Sequence, residues 1–149
     1  MDITLAIERY NPETDAEPYV KEYKVSAKPT DRVLDALMEV WRNYDGTLTF
    51  RKSCAHGVCG SDAMRINGTE RLACKTLVKD VVTDTETTIE IQPLKHLTVQ
   101  RDLMVDQTPF LENFRSVKPF MHPAEAEPRA AEFFQSQEDR EVFDDATKC

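Results

Sequence analysis

Four residues in one short stretch of the chain have types and spacing that suit the binding of iron. They are Cys54, Cys59, Asp62 and Cys74, in the pattern C-x4-C-x2-D-x11-C. A plant-type [2Fe–2S] cluster is held by C-x4-C-x2-C with a further Cys along the chain, so this pattern has Asp at the third ligand position. The spacing therefore predicts a centre that carries one electron and makes no bond to a substrate.

The residues between these ligands are suited to a tightly wound loop. Gly57 and Gly60 are two of the four glycines in the chain, and glycine is used where the backbone turns sharply or closely approaches another group. We expect backbone N–H groups of residues 57–61 to donate hydrogen bonds to the sulfur atoms and so to raise the reduction potential. The hydroxyl groups of Ser53 and Ser61 are further candidate donors, with ordinary turn hydrogen bonding as the alternative.

Asp62 is the unusual member of the predicted ligand set. A carboxylate is a harder ligand than a thiolate and donates less electron density to iron. The alternative is that Asp62 caps the turn, while water or another side chain occupies the ligand position. The position of Asp62 in the pattern favours ligation of iron.

Two other metal sites can be compared with the same residues. A Rieske centre has two His on one of its irons; Cys54-Ala55-His56 resembles its first half, but Leu77 occupies the position of the second His after Cys74. A zinc ribbon requires paired C-x2-C segments, and the sequence contains none. Neither alternative fits the spacing.

The composition is that of a globular protein with an acidic surface. The chain has 149 residues, of which 40% are hydrophobic and 31% charged, enough for one domain or for one domain and part of another. Its net charge of −8 argues against a nucleic-acid partner, because phosphate binding requires a dense basic surface. Three of the four Cys lie between residues 54 and 74, which favours metal binding over a disulfide framework.

The first half of the chain predicts a sheet and one helix. Alternating apolar residues predict strands at residues 3–10, 19–25, 63–66, 69–72 and 87–91, and a short strand at 47–50. Asn67-Gly68 is typical of a type I′ hairpin turn. A helix is expected from an N-cap at Thr30 or Asp31 to a point before Gly46, with Trp41 as a core residue on its apolar stripe.

The second half predicts mainly helices. A helix interrupted by Pro109 is expected over residues 103–117, followed by a loop. A short helix is expected to begin at Pro128, and a further helix is expected to have Ser136 as its N-cap.

The cysteine segment resembles one known family. Residues 51–68 and the later Leu72-Ala73-Cys74 are similar to the iron–sulfur subunit of succinate dehydrogenase and fumarate reductase. Residues 101–106 and 117–119 are similar to that family's link into its helical domain. The resemblance extends from about Ile3 to Cys149, and some members of the family carry Asp at the third ligand position.

The resemblance implies an α+β fold in two parts. A β-grasp ferredoxin-like domain with the [2Fe–2S] cluster would occupy residues 1–97. Residues 98–149 would begin an α-helical ferredoxin domain that holds [4Fe–4S] and [3Fe–4S] clusters. Cys149 resembles the first ligand of that second set, so the chain is expected to be truncated there.

The resemblance also implies a function. The chain would be the redox subunit of a succinate dehydrogenase, passing electrons from FAD on a flavoprotein partner toward membrane quinone. Membrane anchor subunits would hold it at the cytoplasmic face of the cell membrane. The alternatives are a fumarate reductase subunit, which carries electrons in the other direction, a free-standing ferredoxin-like carrier, and a non-redox binding domain with the same fold. The second helical region and Cys149 argue against the free carrier.

Overall fold

Alternating apolar residues make the first strand of the chain an interior strand of a five-stranded sheet. The computed structural model describes residues 1–119 and 135–144. Its strands are β1 Asp2–Arg9, β2 Tyr19–Ser26, β3 Ala63–Ile66, β4 Thr69–Leu72, β5 Thr88–Gln92, β6 Val99–Arg101 and β7 Met104–Val105. Its α-helices are α1 Val33–Glu39, α2 Thr108–Ser116 and α3 Gln137–Asp144. A π-helical turn covers Val40–Tyr44, and a 3-10 turn covers Val78–Asp80.

The sheet is mixed, with strand order β2-β1-β5-β3-β4. Strand β1 pairs antiparallel with β2 and parallel with β5, and β3 pairs antiparallel with β5 and β4. At the turn between β3 and β4, Asn67 and Gly68 have φ angles of 48° and 78°. These positive values agree with the predicted type I′ turn. Strands β6 and β7 form a separate two-stranded hairpin.

One face of the sheet packs against α1 and forms the core. The strand side chains that face the helix are those predicted by alternation, and they are almost fully buried. They are Ile3, Leu5, Ile7, Tyr23, Val25, Met64, Ile66, Ile89 and Ile91. Helix α1 and the π turn contribute Val33, Leu34, Leu37 and Val40 to the same cluster. The predicted α+β class is therefore confirmed.

Helix α1 begins at a different residue from the one predicted, whereas the helical segment ends before Gly46 as predicted. Arg32 is the N-cap residue, in place of the expected Thr30 or Asp31, and its N–H donates to the Asp35 carboxylate at 2.9 Å. At the other end, the Asp45 N–H donates to the Val40 carbonyl at 2.8 Å, which closes a π turn.

The prediction that Trp41 is a core residue is wrong. Its side chain is 44% exposed. Because a π turn contains more residues than an α turn, it rotates Trp41 away from the stripe that α1 presents to the sheet.

Two further local predictions are corrected and one is confirmed. Residues 47–50 are not a strand, because their backbone groups pair with no strand of the sheet. The N–H and carbonyl of Thr49 bond to residues 102 and 103, and the N–H groups of Thr47 and Leu48 donate to Asp45. Helix α2 begins at Thr108, so Pro109 lies in its first turn, where its missing N–H costs nothing, and does not interrupt it. Ser136 does cap α3, since its Oγ accepts the Asp139 N–H at 3.1 Å. The helix predicted at Pro128 lies outside the described residues, as does Cys149.

The chain forms two compact units, Met1–Phe114 and Arg115–Cys149. Residues 98–114 group with the sheet in the first unit. The domain boundary after residue 97, and the helical ferredoxin character of the residues that follow it, stay predictions.

A buried arginine joins the strands to the later hairpin. Arg9 is 5% exposed, and its Nε donates to Asp102 Oδ1 at 2.9 Å. Its Nη1 donates to Asp45 Oδ2 at 2.8 Å and to the Tyr23 hydroxyl at 2.5 Å, and its Nη2 donates to Thr47 Oγ1 at 3.0 Å. This single guanidinium group therefore links β1, β2, the turn after the π helix and the β6–β7 hairpin.

The carboxylate of Asp45 is strongly stabilised in its charged form. Burial alone would raise the pKa of Asp45, but hydrogen bonds from Lys21, Thr47, Tyr23 and Arg9 outweigh burial and hold that pKa well below its usual range. Burial alone would lower the pKa of Arg9, but its hydrogen bonds to Asp102 and Asp45 outweigh burial and raise that pKa.

The first prediction compares the two cations that contact Asp45. Arg9→Met leaves Asp102 buried without a cation and Asp45 with only the exposed Lys21, so the free energy of unfolding should fall by about 3–5 kcal/mol. Lys21→Met removes an exposed partner of the same carboxylate and should cost about 1 kcal/mol or less. Urea denaturation measures both. If Arg9→Met and Lys21→Met lost the same free energy of unfolding, that result would contradict a stabilising role of the buried network.

The second prediction concerns acid unfolding. Because the pKa of Asp45 is lower in the folded chain than in the unfolded chain, its stabilisation is present above a pH of about 4 and is lost as the pH falls further. The free energy of unfolding of Asp45→Asn should therefore change less between a pH of about 5 and about 3 than that of the unchanged protein. Identical slopes for the two proteins would contradict this assignment.

Candidate metal centre

The loop that carries the first two cysteines is wound by residues with left-handed backbone conformations. Ala55, Gly57 and Gly60 have φ angles of 57°, 82° and 69°. These angles lie in the left-handed region, which residues with a Cβ atom rarely adopt. Most of the loop is exposed, and the side chain of Val58 at its tip is 78% exposed. The loop thus turns its own N–H groups inward toward the sulfur atoms.

Cys54 lies at the start of this loop in an environment that favours the thiolate. Its Sγ accepts the N–H groups of Val58 and Cys59 at 3.4 and 3.3 Å. Hydrogen bonds from the backbone of Cys59, His56 and Val58, and from the Cys59 side chain, lower the pKa of Cys54 to about 6. A thiolate is the form that binds metal, so Cys54 is prepared for this role before any iron is present.

Cys59 receives its hydrogen bonds from Ser61. The Ser61 hydroxyl lies 3.1 Å from Cys59 Sγ, and the Ser61 N–H donates to the same sulfur at 3.5 Å. The carbonyl of Gly60 accepts the Ala63 N–H at 3.1 Å, so Gly60 ends the loop and leads into β3. Ser53 is exposed, and the described residues include no hydrogen-bond partner for its hydroxyl group.

Asp62 and Cys74 form a second, buried pair. Asp62 is 2% exposed; its Oδ2 accepts the Cys74 N–H at 2.5 Å, and its Oδ1 lies 3.4 Å from Cys74 Sγ. Burial raises the pKa of Cys74, the hydrogen bond and charge of Asp62 raise it further, and the Gly57 N–H acts in the opposite direction. The surroundings of Cys54 therefore lower its pKa, whereas the surroundings of Cys74 raise its pKa.

The carboxylate of Asp62 combines the two roles that the sequence left open. One oxygen caps the backbone of Cys74, as the non-ligand alternative requires. The other oxygen faces the Cys74 sulfur, where a metal ligand is needed. The hydrogen bond from the Cys74 N–H to Oδ2 therefore leaves Oδ1 of Asp62 as a candidate ligand atom.

The four side chains lie around one loop. Cys54 contacts Cys59, Asp62 contacts Cys74, and the Gly57 N–H joins the loop to Cys74. In residues 1–119 and 135–144, no group of three or more His, Cys, Asp or Glu is arranged to hold a single metal ion. Two pairs of candidate donors would instead suit a two-iron cluster, with Cys54 and Cys59 available to one iron and Asp62 and Cys74 to the other. The donor set therefore fits [2Fe–2S] better than one ion.

One contact of the loop was not predicted from the sequence. The aliphatic part of Lys75 lies against the backbone of Gly57, and a Cβ atom built at Gly57 would come within 2.5 Å of Lys75 Cδ. The glycine therefore serves two purposes, since it adopts the left-handed conformation and leaves room for the lysine. The position of Lys75 directly after the last ligand was the only signal of this contact.

Solved structures and curated proteins show what the chain is similar to. The chain is 28% identical to a chain of the Mycobacterium smegmatis Sdh1 complex in the apo form, with a TM-score of 0.78, over 99% of this chain and 59% of the other. It is 39% identical to the mitochondrial succinate dehydrogenase [ubiquinone] iron-sulfur subunit of Dictyostelium discoideum, over 99% of this chain and 52% of that protein. It is 37% identical to the mitochondrial succinate dehydrogenase [ubiquinone] iron-sulfur subunit of Candida glabrata, over 98% of this chain and 57% of that protein.

The chain thus spans about half the length of the curated relatives it matches. Within the described part of the chain, no helix is both long enough and apolar enough to cross a membrane.

Residues 4–112 match the family model described as 2Fe-2S iron-sulfur cluster binding domain. That match covers most of the chain and all four candidate ligands. The chain therefore belongs to the family of 2Fe–2S iron–sulfur cluster binding domains.

Proposed function

We propose that Cys54, Cys59, Asp62 and Cys74 hold one [2Fe–2S] cluster and that the chain transfers single electrons as the iron–sulfur part of a succinate dehydrogenase. The observation that carries the proposal is the arrangement of these residues as two adjacent pairs around one loop. When bound, such a cluster takes up and releases one electron without forming a bond to a substrate.

The residues around the sulfur atoms would set how readily that electron is accepted. The Val58, Cys59 and Ser61 N–H groups donate to Cys54 and Cys59. Each donor stabilises negative charge on the sulfur atoms and so raises the reduction potential. Because these donors belong to the backbone of a tightly wound loop, they are fixed in direction before the electron arrives.

The sequence relatives support the wider role. In the whole protein, electrons would pass from FAD on a flavoprotein partner through this cluster to [4Fe–4S] and [3Fe–4S] clusters and then to membrane quinone. Cys149 would be the first ligand of the [4Fe–4S] cluster. Anchor subunits would hold the assembly at the cytoplasmic face of the membrane, and this chain would serve as its redox subunit without binding succinate. The curated relatives that carry this support are succinate dehydrogenase iron–sulfur subunits.

The third prediction tests the cysteine ligands. Anaerobically prepared protein should contain two irons and two acid-labile sulfides per chain, and its reduced form should give an EPR signal. Cys54→Ala, Cys59→Ala and Cys74→Ala should each lose most of the iron, because each removes one of only four anionic ligands.

Val58→Ala provides the matched control for this experiment. Val58 lies in the same loop and its side chain is 78% exposed, so the variant should keep its full iron content. Full iron in any of the three cysteine variants would remove that residue from the ligand set. An iron-free, colourless preparation of the unchanged protein would contradict the proposed function.

The fourth prediction separates the two roles of Asp62. Asp62→Asn keeps an oxygen that can accept the Cys74 N–H but loses the anionic ligand, so it should lower the iron content. Asp62→Cys restores an anionic ligand, so it should keep the cluster and shift its reduction potential. EPR-monitored redox titration of both variants gives the comparison. If Asp62→Asn kept the spectrum and potential of the unchanged protein, Asp62 would be a turn cap only.

A further inference from the structure

The segment that leads into Cys54 is attached to the β6–β7 hairpin. Residues 47–51 form no strand, yet their backbone and side chains bond to the β6–β7 hairpin. The Thr49 N–H donates to Asp102 Oδ2 at 2.8 Å, and the Leu103 N–H donates to the Thr49 carbonyl at 3.2 Å. The path of the chain into the loop is therefore fixed by residues about fifty positions later in the sequence.

Asp102 is the centre of this attachment. It is 3% exposed and has a φ angle of 47°, a left-handed conformation that Asp tolerates better than most residues other than glycine. Its second oxygen, Oδ1, accepts both Arg9 Nε at 2.9 Å and the Tyr10 N–H at 3.0 Å. One carboxylate thus fastens the entry segment to the end of β1.

Arg51 makes a second attachment between Thr49 and the first ligand. Its Nη1 donates to the Val105 carbonyl, and its Nη2 donates to Gln100 Oε1 at 3.3 Å. These two acceptors lie on opposite strands of the β6–β7 hairpin. Arg51 is only three residues before Cys54, so its position limits where the Cys54 sulfur can lie.

We propose that Asp102 and Arg51 are positioning residues for the cluster. Asp62 and Cys74 are adjacent to the ends of β3 and β4 and are placed by the sheet. Cys54 and Cys59 lie on an exposed loop, so their placement relative to the other pair depends on the entry segment. The β6–β7 hairpin, through Asp102 and Arg51, sets that placement. This inference rests on the proposed function, since it requires a cluster at these four residues.

The experiment uses variants that remove each attachment without forcing a new backbone conformation. Asp102→Gly keeps the left-handed conformation and removes the carboxylate, and Asp102→Asn restores one acceptor as the conservative rescue. Arg51→Met removes both hydrogen bonds of a side chain outside the core, so it remains informative if Asp102→Gly does not fold. Val25→Ala is the control: it removes buried methyl groups from β2 and destabilises the fold, but it removes no hydrogen bond of the entry segment.

The readouts are the EPR line shape of the reduced cluster, its reduction potential and the rate of iron release to a chelator. We expect Asp102→Gly and Arg51→Met to release iron roughly 10-fold faster or more and to change the EPR line shape, with Asp102→Asn intermediate. Hydrogen exchange at the Thr49 amide should accelerate in Asp102→Gly. Val25→Ala should lose stability while its EPR spectrum and potential stay unchanged.

The inference is overturned if both Asp102→Gly and Arg51→Met keep the spectrum, the potential and the release rate of Val25→Ala. That result would leave Asp102 and Arg51 with a purely structural role. A failure of the proposed function looks different, because the unchanged protein would then contain no [2Fe–2S] cluster.

Discussion

The proposed metal centre depends on bringing three thiols and one carboxylate into one small volume. All four groups carry negative charge when they bind metal. The chain supplies backbone N–H groups as the first compensation. They lower the pKa of Cys54 to about 6, whereas burial and the charge of Asp62 raise the pKa of Cys74. The surroundings of Cys54 thus favour its thiolate, and those of Cys74 favour its protonated form. The need for inward N–H groups explains the left-handed conformations in the loop.

The rest of the fold supplies rigidity where the loop has none. The β3–β4 hairpin is part of the sheet and brings Asp62 and Cys74 together across a register fixed by the Asn67-Gly68 turn. The segment before Cys54 lacks such pairing. It is fastened by the buried group of Arg9, Asp45 and Asp102, in which each charge has hydrogen-bonded partners. Buried charges of this kind are stable only when they are paired, and this pairing joins parts of the chain distant in sequence.

The sequence predicted the features that depend on local pattern. Alternation placed β1 and β2, the Asn67-Gly68 pair placed the hairpin turn, and the spacing from Cys54 to Cys74 identified the candidate ligands. It could not predict features that depend on distant contacts. Asp102 has no local signature, and residues 47–50 have the composition of a strand although the backbone of Thr49 bonds to residues 102 and 103 instead of to a neighbouring strand. The exposure of Trp41 results from a single π turn, which hydrophobic periodicity cannot reveal.

The proposed cluster has two irons with unequal ligand pairs, Cys54 with Cys59 and Asp62 with Cys74. Mössbauer spectroscopy of the oxidised protein, prepared anaerobically with ⁵⁷Fe, tests this proposal because it distinguishes iron bound only by sulfur from iron that has an oxygen ligand. We expect two ferric sites in equal amounts, one with sulfur ligands only and one with a carboxylate oxygen. Two indistinguishable all-sulfur sites would remove Asp62 from the cluster, and a single mononuclear site would contradict the proposed [2Fe–2S] centre.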